Sequence, residues 1–151
     1  MSADNINTLV QVAIRVLEQY AFLLGEPPAS GTPSPSFPSP SWIVTIAFSG
    51  ARAGAVGMVV PPDLAAQAAA NLHGGELPQA GDERAGDAVK ELLNIVCGHY
   101  LHEIEDGKGL FDLSAPVRRA MAREQVAQCV QGKPQAALVV EGSPFLLFIE
   151  S

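Results

Sequence analysis

Between positions 6 and 24, apolar residues return every three or four places: Ile6, Leu9, Val10, Ala13, Ile14, Leu17, Tyr20, Ala21 and Leu24. At about 100° per residue this spacing keeps them on one side of a helix. Asp4 or Asn5 is suited to cap its start, and Gly25 to close it. Residues 26–41, EPPASGTPSPSFPSPS, show no period. Their prolines forbid a helix interior and their small polar residues supply little to bury, which predicts an extended, mobile surface loop. The pattern then shortens. Residues 42–48 and 55–60 are compact β-favouring runs joined through the glycine-bearing stretch 49–54, as in a hairpin. Pro61 and Pro62 stop the second strand and open a helix through about residue 72, with Gly74 and Gly75 at its end.

A polar link, 77–86, leads into a second long helix running to 104 or 105, capped by Asp82 or begun a turn later at Asp87, and stopped by the turn pair Asp106-Gly107. Helical spacing puts Ala85, Val89, Leu92, Leu93, Val96, Tyr100 and Ile104 on one side. Asp87, Glu91, Asn94, Gly98, His102 and Glu105 fall on the other. Residues 110–114 read as a strand ended near Pro116, 118–131 as a short helix, and 136–141 with 145–150 as a hairpin around Gly142-Ser143. The two halves look like versions of one unit, a long helix followed by antiparallel strands. The expected fold is α+β: an antiparallel-rich sheet with two long helices packed on it, pseudo-repeated as α-β-β, in a single domain spanning 1–151. An exposed sheet edge is where two copies would meet.

Composition narrows the functions. The chain has 151 residues, enough for one real core, and 48% hydrophobic against 17% charged residues argues against disorder. A formal net charge of −7 disfavours nucleic acid or an anionic membrane as the partner. The basic triplet Arg118, Arg119 and Arg123 reads as a solvated face. Neither a basic and apolar leader nor a run of about 18 apolar residues is present, so a cytoplasmic location and no membrane span are expected. Cys97 and Cys129 have no paired spacing, and Cys97 falls towards the apolar side as a small buried residue. The glycines at 50, 54 and 57 run from strand to strand, not from strand to helix, and so do not form a dinucleotide loop.

The candidate chemistry sits on the polar face of the second long helix. Glu91 and Asn94, at i and i+3, point the same way, with Gly98 one turn beyond. A carboxylate and a carboxamide beside a position without a side chain suit contact with something outside the chain. Asp87 and His102 extend the stripe. His99, His102, Cys97 and Glu103 do not make a metal site: the histidines lie at i and i+3, and Cys97 turns towards the apolar side.

An ExxN tetrad alone carries little, but its setting carries more. Glu91-Leu-Leu-Asn94-Ile-Val-Cys-Gly98, the later Leu113-Ser114-Ala115-Pro116, and Phe48-Ser49-Gly50 with Gly54 ahead of the second strand resemble the CheC and CheX class of chemotaxis phosphatases, in its CheX-like type. The element order matches over nearly the whole chain. The resemblance implies a phosphatase acting on the phospho-aspartate of a CheY-like response-regulator receiver domain. Asn94 would position the attacking water and Glu91 would meet the receiver's lysine. Asp87, Gly98 and His102 would be partner contacts. It implies Mg²⁺ on the receiver, no cofactor on this chain, and a homodimer joined through the sheet. CheC-like relatives carry the motif on two helices; here the first helix offers only Glu18-Gln-Tyr-Ala21, so one site per chain is expected. A binding module that kept this face without hydrolysis is the alternative reading.

Overall fold

The structure is a computed structural model that describes residues 2–29, 36–79, 82–105 and 109–150. Among the described residues, four helices, α1 (Ser2–Ala21), α2 (Pro62–His73), α3 (Glu83–Ile104) and α4 (Arg123–Val130), accompany one antiparallel sheet of seven strands. The strands are β1 (Gly25–Glu26), β2 (Ser41–Gly50), β3 (Gly54–Val60), β4 (Phe111–Leu113), β5 (Val117–Met121), β6 (Gln135–Val140) and β7 (Ser143–Glu150). Across the sheet they run β1-β6-β7-β3-β2-β4, with β5 also on the outer side of β2. The α+β expectation holds, as does the repeat. Hairpins β2-β3 and β6-β7 sit back to back through the β3–β7 pairing, and each half's first strand pairs with the other half's hairpin.

Side-chain alternation along the strands divides the core in two. Trp42, Val44, Ile46 and Phe48 point towards α1, α2 and α3 and join the main core with Val56, Met58, Leu138 and Leu147. Ile43, Val59 and Phe148 point the other way, where Val126 and Val130 of α4 and the ring of Phe37 cover them. No helix among the described residues is long and apolar enough to cross a membrane.

Several boundaries differ from the sequence expectation. The first helix ends at Ala21, not Leu24. Phe22 turns left-handed at φ 54°, and the Leu23 N–H reaches back 3.0 Å to the Leu17 carbonyl, a helix-ending motif that usually uses glycine. Gly25 therefore opens β1. The described part of the proline-rich stretch is irregular and mostly exposed, as expected, but over residues 36–41 it is anchored. Phe37 is half-buried in the second core, the Phe37 carbonyl accepts from Arg123 Nε at 2.8 Å, and the buried Ser41 hydroxyl donates to the Pro38 carbonyl at 2.7 Å. Residues 30–35 lie outside the described residues, as does the expected turn pair Asp106-Gly107.

In place of a single short helix over 118–131 there is a strand, β5, and then α4. β4 and β5 are one edge of the sheet broken by a bulge: Leu113 pairs with Phe48 and Val117 with Thr45, so 114–116 oppose two residues of β2. The Ser114 hydroxyl accepts the Ala47 N–H at 2.9 Å across the break. The three arginines do not form one face. Arg118 lies over the Trp42 ring at 4.2 Å, Arg119 pairs opposite Ile43 on the other face, and Arg123 holds the Phe37 carbonyl. The 77–86 link is shorter than expected, because α3 already begins at Glu83. Gly50, at φ 142°, lets β4 approach where a Cβ would meet the Leu110 carbonyl oxygen.

Candidate functional site

α3 positions the candidate residues. Its start is fixed by Asp82, whose carboxylate accepts the Arg84 N–H at 2.8 Å. The Arg84 side chain and backbone together hold the Asp82 pKa below its ordinary value. The buried face contains Ala85, Ala88, Val89, Leu92, Leu93, Val96 and Tyr100, and Ile104 is half-buried at the end. Cys97 is fully buried, and loss of solvation pushes its thiol up to about 12, so it remains an inert protonated core residue.

α2 packs against α3, and small residues are buried on both helices: Ala65, Ala66, Ala68 and Ala69 on α2, Ala85 and Ala88 on α3. Gly86 of α3 is buried for a different reason: a Cβ there would come within 2.7 Å of Arg118 Nε, so glycine leaves room for the guanidinium stacked on Trp42.

Asp87, Glu91, Asn94, Gly98 and His102 are all exposed, in order along the solvent side of α3. The expected stripe is therefore one continuous face. Glu105 departs from it, being half-buried and ion-paired at 2.8 Å with Arg52 of the β2-β3 connection. The Asn94 carboxamide has no hydrogen-bond partner among the described residues. Over Gly98 a Cβ would meet nothing within 4 Å, so this position is open to approach from solvent. Just beyond it, Gly98, Leu101, His102, Gly109, Phe111 and Leu113 line a hollow of about 210 Å³, and Leu110, immediately before β4, is 88% exposed. Neither Glu91 nor Asn94 lines that hollow; they occupy the convex part of the helix. Among the described residues, no three His, Cys, Asp or Glu side chains gather where a metal could bind.

One contact escaped the sequence reading. His73, the last residue of α2, places Nε2 3.0 Å from Oε2 of Glu91. Nothing in the spacing marks it, since 18 residues separate the two and their meeting depends on how far α2 slides along α3.

On α1 the corresponding tetrad has a different fate. Glu18 is exposed, but Ala21 is fully buried at the helix end, and its carbonyl accepts from Asn71 Nδ2 at 2.8 Å.

Comparison with known proteins bears on the family and the fold. The family model described as chemotaxis phosphatase CheX matches residues 42–139, which include hairpin β2-β3 from its second residue and all of α3. No curated protein matches the chain by sequence. Among solved structures, the chemotaxis protein CheX from Vibrio vulnificus superposes with a TM-score of 0.74 at 18% identity, covering 99% of this chain and 97% of that one. A CheC-like superfamily protein from Shewanella sp. PV-4 gives a TM-score of 0.72 at 18% identity, covering 99% and 98%. CheX of Borrelia burgdorferi, solved as a complex with CheY, BeF₃ and Mg²⁺, gives 0.64 at 17% identity, covering 98% and 97%. At these identities the likeness is one of fold.

Proposed function

The chain belongs to the chemotaxis phosphatase CheX family, and on that premise we propose that it hydrolyses the phospho-aspartate of a CheY-like receiver domain. The observation that carries this reading is the joint exposure of Glu91 and Asn94 on one face of α3, with open space over Gly98. An acyl phosphate is already activated, so the reaction asks mainly for a water held in line and for stabilised charge. As water's oxygen bonds to phosphorus, the bond to the aspartyl oxygen breaks, leaving phosphate and a carboxylate. A carboxamide can accept from and donate to that water without repelling the phosphoryl oxygens, the role given to Asn94.

Glu91 supplies a charge for the receiver's lysine, and Asp87, Gly98 and His102 extend the contact along the same face. Mg²⁺ belongs to the receiver in this scheme, so α3 has only to present its side chains. The complex of the Borrelia burgdorferi relative with CheY supports a receiver as the partner class. Pairing of two copies along the sheet edge is part of the same reading; Val117 on β5 is exposed there.

The test is phosphate release from a CheY-like receiver kept phosphorylated by acetyl phosphate and Mg²⁺. Catalytic amounts of the chain should accelerate release beyond the receiver's own rate. Binding to the beryllofluoride-activated receiver without acceleration would leave an adaptor instead.

A further inference from the structure

We propose that His73 is a positioning residue for Glu91, holding one carboxylate oxygen so that the other faces an incoming cationic side chain. The inference rests on the docking role proposed for Glu91. Nε2 of His73 lies 3.0 Å from Oε2, and Oε1 has no partner among the described residues. A carboxylate only accepts, so the imidazole carries its proton on Nε2 and donates it. One oxygen is thereby fixed and the second left for a lysine ammonium.

His73 is itself held. Two residues earlier, Asn71 donates to the Ala21 carbonyl at 2.8 Å, tying the last turn of α2 to the end of α1. Gly74 closes that turn with its N–H on the Ala70 carbonyl at 2.8 Å. The buried alanines of α2 fix its distance from α3. An exposed glutamate without such a partner samples several rotamers, and ordering it on binding weakens the complex. His73 and Glu91 are about half exposed, 49% and 51%, so a partner can reach the pair and the gain is that of an exposed hydrogen bond to a carboxylate.

The experiment measures KM and kcat for dephosphorylation of a CheY-like receiver, and Kd for its beryllofluoride-activated form, with His73→Ala, His73→Gln, Glu91→Gln and the double variant His73→Ala/Glu91→Gln. His73→Ala is expected to raise KM and Kd by about two- to fivefold with kcat within twofold, as for loss of an exposed pair. His73→Gln, which keeps a donor, should recover most of that loss. In the Glu91→Gln background, His73→Ala should add nothing. Equal added loss in that background, or wild-type KM in His73→Ala beside a raised KM in Glu91→Gln, overturns the positioning role alone. Wild-type KM and Kd in Glu91→Gln overturn the docking role of Glu91 and, with it, this inference.

Discussion

α1 and α3 are the two long helices of a repeated design, yet α3 exposes both ends of its tetrad and α1 buries one of them. In α3, Glu91 and Asn94 stand in the middle of a 22-residue helix, with most of the buried positions on the opposite side. In α1 the same spacing lands on the last turn, where Ala21 is fully buried and its carbonyl is taken by Asn71. A tetrad becomes a site only where the helix continues past it and keeps both residues on the solvent side. On the proposed function, the repeated scaffold therefore carries one site.

The comparison can be pressed hardest by giving α1 the missing residue. Ala21→Asn should lower unfolding free energy by about 2–4 kcal/mol, because it forces a larger polar group into a packed site. It should add no phosphatase activity; urea denaturation with a phosphate-release assay reads both. Next in size, Glu91→Gln on α3 should weaken receiver affinity about tenfold with thermal stability unchanged, measured by titration with the beryllofluoride-activated receiver.

Gly98→Ala separates structure from contact at one position. With nothing within 4 Å of the new Cβ, the fold should gain about 0.5–1 kcal/mol, while Gly98→Phe should fold equally well and bind the receiver less tightly. Asp82 tests the start of α3 by pH. Its folded pKa lies below 3.8, so the stability it lends is present above 3.8 and fades as pH falls through the lowered value. Asp82→Asn should therefore flatten the acid limb of melting temperature against pH. Smallest of all, Glu18→Gln on α1 should leave both affinity and hydrolysis within twofold of wild type.

Much of this was legible in the sequence where one period dominates. The apolar stripe of α3 separated its faces correctly because a helix with one buried side leaves little choice at each position, and the β2-β3 and β6-β7 hairpins were marked by short β-favouring runs around turns. β5 was not legible. Arg118 sits on the core side of an edge strand, which a hydrophobic pattern cannot show, and its place depends on Gly86 of α3 and the Trp42 ring. Phe37 was hidden among prolines, although it seals the second core with α4. The end of α1 misled for a local reason: Leu24 continues the apolar period, while Phe22 takes the left-handed turn usually given to glycine. In the site, exposure of Glu91 and Asn94 followed from spacing, but the His73 contact depends on packing between two helices and leaves no trace in either one alone.

The central claim is that Asn94 acts in hydrolysis and not merely in binding. Single-turnover decay of a phosphorylated CheY-like receiver, with Mg²⁺ and saturating chain, compares wild type with Asn94→Ala, and beryllofluoride-receiver binding is measured in parallel. Loss of an oriented water should slow decay about 100-fold while Kd stays within threefold. Equal decay rates for the two proteins, at matched binding, would contradict it.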